Sequence, residues 1–176
     1  MIMRIFGILL LALILVTGTE SCKKSSDNSK APVNWTNKIK GLYENNKTKI
    51  TITEGIAGTV TKRTGNCMPV VDSNNTTCKE VPVQRSVYIY EYTTVNNIKG
   101  DIREFTSPTT QLKALIQTDN EGFFQLKIAP GIYSIFIEEN GAFYANSIDG
   151  QGGINSVEVL AGKVSTKNQV IDYATY

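Results

Sequence analysis

An all-β sandwich of seven to eight strands is the fold class this chain predicts from Ile50 onward. Short segments rich in Val, Ile, Tyr, Phe and Thr alternate with clusters of Gly, Pro, Asn and Asp. No segment there sustains a 3.6-residue period. The alternation of apolar and polar residues instead has the period of two that belongs to half-buried strands.

The first predicted strand covers about 52–62, with Ile56 and Val60 on one face. The second covers about 83–92, in which Val87 and Ile89 face the core and Tyr88, Tyr90 and Tyr92 share the opposite face. A loop follows through Asn96-Asn97, Lys99-Gly100 and Ser107-Pro108, and a third strand takes about 111–118. The fourth runs from Phe123 to Ile128, with Phe124, Leu126 and Ile128 on one side. The fifth runs from Ile132 to Glu138, with Tyr133, Ile135 and Ile137 on one side, so the two form facing walls of a core. A short sixth through Phe143 to Asn146 precedes segments at about 154–160 and 165–174.

Two connections carry strong turn chemistry. Thr118-Asp119-Asn120-Glu121-Gly122 reads as a hairpin connection, with Asp119 accepting bonds from N–H groups ahead of it and Gly122 at positive φ. Ala129-Pro130-Gly131 reads as a type II turn, with Gly131 at the left-handed position. Upstream, Trp35, Ile39 and Leu42 fall at helical spacing within Val33 to Tyr43, so a short helix can pack on the domain.

The N-terminus has a different character. A basic start at Arg4 precedes an apolar run from Ile5 to Val16, a small-residue stretch Thr17-Gly18-Thr19, and then Ser21-Cys22-Lys23-Lys24. A run of about a dozen apolar residues is too short for a comfortable bilayer span, which takes roughly 20, and reads as an export signal. The order resembles the signal peptide of a bacterial lipoprotein, which implies lipidation of Cys22 as the first mature residue. Thr19 and Glu20 depart from the usual residues before such a cysteine, and cleavage after Gly18 is the alternative.

The chain has three cysteines, an odd number for an exported protein. With Cys22 acylated, Cys67 and Cys78 remain as a pair for a disulfide in an oxidising compartment. The intervening stretch from Met68 to Thr77 is polar and turn-like. A zinc site is not expected: the chain has no histidine, and two thiolates do not complete a tetrahedron.

Charge divides unevenly. From Lys23 to Lys49 seven lysines stand against Asp27 and Glu44, a net of +5; from Ile50 to Tyr176 ten basic residues stand against thirteen acidic ones, a net of −3. The basic part reads as a solvated tether beside a membrane, and a slightly acidic domain without a basic stripe is not a nucleic-acid binder. The expected organisation is therefore a signal peptide at 1–21, a lipidated cysteine and basic flexible linker at 22–50, and one domain at 51–176.

The residues Gly58 and Val60, Pro82-Val83 with Val87-Tyr88-Ile89-Tyr90, and above all Thr118-Asp119-x-x-Gly122-x-Phe124-x-Leu126-x-Ile128-x-Pro130-Gly131-x-Tyr133-x-Ile135 resemble a carboxypeptidase regulatory-like domain. That group shares the transthyretin-like, prealbumin-type (Ig-like) sandwich with the Cna B-type repeats of surface proteins. The similarity spans about 55–176, and Thr64 to Glu80 and Asn96 to Pro108 are longer than the family's connections. Combined with the lipoprotein signal, the pattern is similar to envelope lipoproteins of the Bacteroidetes. The resemblance implies a binding or spacer module with no catalytic residues and no cofactor. From Cna B-type relatives it also implies a candidate isopeptide bond between Lys62 and Asn168, with Glu138 as proton shuttle.

The residues themselves offer little catalytic chemistry. No nucleophile-elbow or phosphate-loop motif is present, and Gly150-Gln151-Gly152-Gly153 does not open a helix. Glu138-Glu139 and Asp119/Glu121 read as solvated turn carboxylates, with calcium ligation and acid–base work as the rival readings. Tyr88, Tyr90 and Tyr92 form a candidate binding surface for sugar rings or a protein partner; the simpler reading is ordinary strand tyrosines, or a row covered by the Trp35 segment. Together these expectations describe a non-enzymatic module, anchored by lipid to the outer membrane on its periplasmic face or at the cell surface, with an envelope protein or glycan as partner. The rivals are a structural adhesin or stalk module, and an accessory domain of a peptidase or polysaccharide-uptake system.

Overall fold

The computed structural model describes residues 35–69, 77–106 and 108–176. The segment read as a signal peptide, Cys22 and the first part of the expected linker, up to residue 34, lie outside them. The described chain is an all-β sandwich carrying one α-helix and a short 3-10 helix at Val95–Asn97.

Helix α1 (Trp35–Thr48) presents Ile39, Tyr43 and Asn46 at i, i+4 and i+7, one stripe of a helix, and docks them on the sandwich. It ends where Asn45, Asn46 and Thr48 favour local bonds: the Thr48 hydroxyl donates to the Asn45 carbonyl at 2.7 Å. The predicted helix therefore exists and is longer than Val33–Tyr43. The folded body begins before residue 51, because half of the expected linker is this packed helix.

Strand β1 (Gly55–Thr64) is the axis of the first sheet. Along one edge it pairs antiparallel with β7 (Phe123–Leu126) and then β2 (Lys79–Pro82). Along the other it pairs parallel with β11 (Val164–Thr166) and then β12 (Gln169–Asp172). The second sheet runs β4 (Lys99–Asp101), β5 (Glu104–Thr106), β9 (Ala142–Tyr144), β8 (Gly131–Glu139), β3 (Ser86–Glu91), β6 (Leu112–Gln117), with β10 (Ser156–Val159) on β8 beside β9. Among the described residues twelve strand segments stand in place of the seven or eight expected. Part of the excess is the division of 165–174 into β11 and β12; the rest is β2, β4 and β5, which fall in stretches read as loops.

The core lies between the sheets. Ile56 and Val60 of β1 and Phe124 of β7 meet Val87 and Ile89 of β3 and Tyr133, Ile135 and Ile137 of β8. These are the faces the alternation predicts. Burying each such side chain is worth about 1.5–3 kcal/mol.

Both sharp connections differ from expectation in one respect. β6 and β7 belong to opposite sheets, as do β7 and β8. Thr118–Gly122 is thus a crossing between layers and not a hairpin. Its local chemistry is as read: Asp119 Oδ1 accepts the N–H groups of Glu121 (2.8 Å) and Phe123 (2.9 Å). Gly122 has φ 71°, and a Cβ there would stand 2.2 Å from the Val60 carbonyl oxygen. Gly131 has φ 158° and begins β8 in extended conformation, so no type II turn forms. Sheets stack about 10 Å apart, and a chain crossing that gap cannot fold straight back in the plane.

Candidate functional site

Residues Lys62 and Glu139 sit at positions that continue inward faces. Lys62 follows Ile56 and Val60 on β1, and Glu139 follows Tyr133, Ile135 and Ile137 on β8. The Glu139 side chain is 3% exposed and accepts Lys62 Nζ at 2.8 Å and Arg85 Nε at 2.5 Å. Burial pushes its carboxyl upward, but the hydrogen bonds and charges of Arg85 and Lys62 outweigh that and hold it below its ordinary range. Lys62 Nζ also lies 4.8 Å from the centre of the Tyr173 ring.

Arg85 opens onto a cleft of about 320 Å³ at the end of the second sheet. Gln84, Arg85 and Ser86 from the start of β3, Gln117 from the end of β6, and the β8–β9 turn at 138–141 line it. Arg85 is fixed by its Nη1 donating to the Gln84 carbonyl at 2.8 Å and by its backbone N–H donating to the Thr118 hydroxyl at 2.9 Å. Ser86 donates to Gln117 Oε1 at 3.2 Å. Tyr88 donates to Glu138 Oε2 at 3.1 Å, and desolvation together with that carboxylate raises the Tyr88 pKa.

A second polar cluster joins α1 to the first sheet. Glu80 Oε2 takes Arg63 Nε (2.9 Å) and Nη2 (2.7 Å), while Oε1 accepts the hydroxyls of Tyr43 (2.9 Å) and Thr61 (2.6 Å). Burial drives the Tyr43 hydroxyl up to about 12, and the neighbouring Glu80 charge acts in the same direction. Arg63 Nη1 also donates to the Tyr176 hydroxyl at 2.8 Å, so the C-terminal end shares the cluster. Asn46 donates to the Thr59 hydroxyl at 2.9 Å and to the Glu121 carbonyl at 3.0 Å, which closes the helix onto the sheet.

The tyrosines of β3 share the outer face, as expected, but that face is not an open aromatic platform. Tyr88 and Tyr90 pack into a second apolar cluster with Phe105, Phe136, Ala145 and Ile154. Phe143 stands edge-on to Tyr88 with ring centres 4.8 Å apart, and Tyr90 lies 5.4 Å from Phe136. The segment from Ile98 to Phe105, read as loop, supplies Ile98, Ile102 and Phe105 to this cluster. Tyr92 donates its hydroxyl to both Asp149 oxygens, at 3.0 and 3.1 Å. Hydrogen bonds from Ser156, from backbone N–H groups and from Tyr92 hold the Asp149 carboxyl down at about 2. The Trp35 side chain lies outside the described side chains.

Cys67 and Cys78 form a disulfide, with Cα atoms 4.7 Å apart, linking the chain after β1 to the chain before β2. Residues 70–76 between them lie outside the described residues. Cys22 does too.

The isopeptide trio is not brought together. Lys62 is engaged by Glu139 and stands in register with Ile171, three residues beyond Asn168 on the neighbouring strand path. That offset is roughly 10 Å at strand rise. Asn168 Oδ1 accepts the Thr59 N–H at 3.0 Å, and Glu138 accepts from Tyr88. Asp119 and Glu121 both pair with Lys49, at 2.8 and 2.5 Å, so these turn carboxylates close an ion pair with the end of the helix segment.

Arg85, Glu139, Arg63 and Glu80 carry the polar architecture; reading by motif passes over Arg85, Arg63 and Glu80 and takes Glu139 for a solvated turn carboxylate, whereas it is buried between Lys62 and Arg85. A signal for one of the four is present: a charged residue at the next position of an inward face, as at Glu139 and at its partner Lys62, marks a buried ion pair. No protein-family model matches the chain, and no curated protein or solved structure does either.

Proposed function

We propose that the protein is a lipid-anchored, non-catalytic binding or scaffolding module of a bacterial cell envelope, held at the outer membrane through Cys22. The Cys67–Cys78 disulfide is the observation that carries this reading. It accounts for two of the three cysteines, it belongs to an oxidising compartment, and the third cysteine stands at the end of an export signal. The likeness of the 118–135 stretch to carboxypeptidase regulatory-like domains supports a recognition role. The polar cleft at Arg85 is the surface such a role would use.

A Cys22→Ser variant tests the anchor. It should move from the membrane fraction to the soluble fraction, with the disulfide-bonded domain still folded. A variant that still fractionates with membranes overturns the lipid anchor. A stalk role is the second reading, favoured by the parallel pairing of β1 with β11 and β12. Strands from the two ends of the domain then share load along their length. Single-molecule pulling from both ends should meet high resistance if that reading holds.

A further inference from the structure

We propose that the cleft between Gln84–Ser86, Gln117 and the 138–141 turn is a binding site for neutral, polyhydroxylated ligands, the ends of uncharged glycan chains. The proposal rests on the binding-module reading above and names the ligand class of that site.

The charges of the cleft cancel. The lining carries Arg85 with Glu138 and Glu139, and Lys62, which does not line the cleft, joins Arg85 on the buried Glu139, so the local sum is two cations with two carboxylates. A cleft of zero net charge does not concentrate anions, and a phosphate or sulfate would meet both carboxylates. Apolar ligands are disfavoured too, because the walls are amide, hydroxyl and charged groups.

What remains is a mixed set of donors and acceptors. Arg85 commits Nε and Nη1, and its Nη2 has no hydrogen-bond partner among the described residues. Glu138 commits Oε2 to Tyr88, and its Oε1 has none among them either. Gln84, Gln117 and Asn140 add amides that both donate and accept. A sugar hydroxyl is itself donor and acceptor, so neighbouring hydroxyls match this set.

The rim supplies the apolar half. On the same face, one step along from Ser86 and Gln117, Tyr88 and Leu115 stand opposite each other in the β3–β6 register. Leu115 is 54% exposed. A sugar ring has a C–H face as well as hydroxyl edges, and this pair is a ledge for that face. The volume of about 320 Å³ is near the lower end of small-ligand sites, about 300–1,000 Å³, which suits a chain end with the remainder in solvent.

The test is binding of the full-length chain to a printed array of neutral, uronic-acid-bearing and sulfated oligosaccharides. Neutral oligosaccharides should be retained. Gln117→Ala should weaken that retention about tenfold, the worth of roughly one well-made hydrogen bond, and Leu115→Ala should weaken it several-fold through the ledge. Leu160→Ala, at a remote exposed position, should leave it unchanged. Each variant is checked for an unaltered melting temperature. Retention of charged glycans alone, retention of none, or neutral-glycan retention undiminished in a folded Gln117→Ala variant overturns the proposal. Cross-linking on intact cells separates this from the broader reading. Envelope proteins captured beside a blank array remove the sugar site and keep the binding module; blanks in both remove both.

Discussion

The molecule has two apolar clusters on opposite faces of the same sheet, and they are built differently. The inner cluster is mainly aliphatic, lies between two sheets and draws on β1, β3, β7, β8, β9, β10 and β12. The outer cluster is aromatic and is closed by a strap of short strands, β4 and β5, and by the β9 region. β8 serves both, with Ile135 and Ile137 inward and Phe136 outward, all fully buried. The inner cluster is therefore the condition for the fold, and the outer one is a local closure that leaves Tyr88 and Tyr90 half-buried against the strap. Wherever aromatic residues alternate on a strand, exposure is decided by what else the chain lays over them.

If that contrast is right, the largest loss belongs to the inner cluster. Ile135→Ala should destabilise the whole domain by about 4 kcal/mol, within the range for deleting a buried Ile side chain, with every probe of chemical unfolding moving together. A loss under about 1 kcal/mol would mean that the inner cluster is not the determinant. Replacing both Cys67 and Cys78 by Ser should come next, at about 2–3 kcal/mol for a short closed loop. The expected signature is a lower unfolding midpoint with an unchanged denaturant slope per unit of exposed core.

Phe143→Ala should cost less, about 2 kcal/mol, because Phe143 is only half-buried and its contacts are ring edges. The effect should be local. Amide exchange should quicken at 98–106 while β1 and β8 keep their protection; uniform acceleration would erase the distinction between the clusters. The same variant should leave Tyr88 and Tyr90 more exposed, since Phe143 packs on both rings.

The smallest effect is one of pH and concerns the helix. The Tyr43 hydroxyl is raised to about 12 from 10 by burial and then by Glu80. The folded state thus holds its proton more tightly than the unfolded chain. Its contribution is complete below about pH 10, and it falls as pH climbs from 10 towards 12. Tyr43→Phe should remove that alkaline slope, read by thermal melts across the window. An unchanged slope would show that the docking of α1 does not depend on the Tyr43–Glu80 contact. The contrast with the outer cluster is again one of kind, a polar lock on one sheet against an aromatic cover on the other.

Much of this was legible in advance. The faces of β1, β3, β7 and β8 follow from period-two alternation, and the core contains Ile56, Val60, Phe124, Tyr133, Ile135 and Ile137 as that alternation requires. The Asp119–Gly122 geometry follows from side-chain length and the absence of a Cβ. The Cys67–Cys78 pair is what the lipoprotein resemblance implies once it sets Cys22 aside. The candidate site was less legible. Ser86, Gln117 and the 138–141 turn are far apart in the chain, and only the β3–β6 and β3–β8 ladders bring them to one end of a sheet.

What the sequence by itself determined is local: which segments are extended, which side of each is apolar, and where the backbone must turn. Those are properties of neighbouring residues, written in alternation, Gly and Asp. What only the tertiary structure decided is partnership. It sent β6 and β7 to opposite sheets, laid β11 and β12 parallel to β1, folded Phe105 over the tyrosines, and set Lys62 and Arg85 on Glu139. The physical reason is that a strand's hydrogen-bonding edges are the same whatever its sequence. The choice among partners rests on burying whole faces and neutralising buried charge, and both are sums over residues distant in the chain.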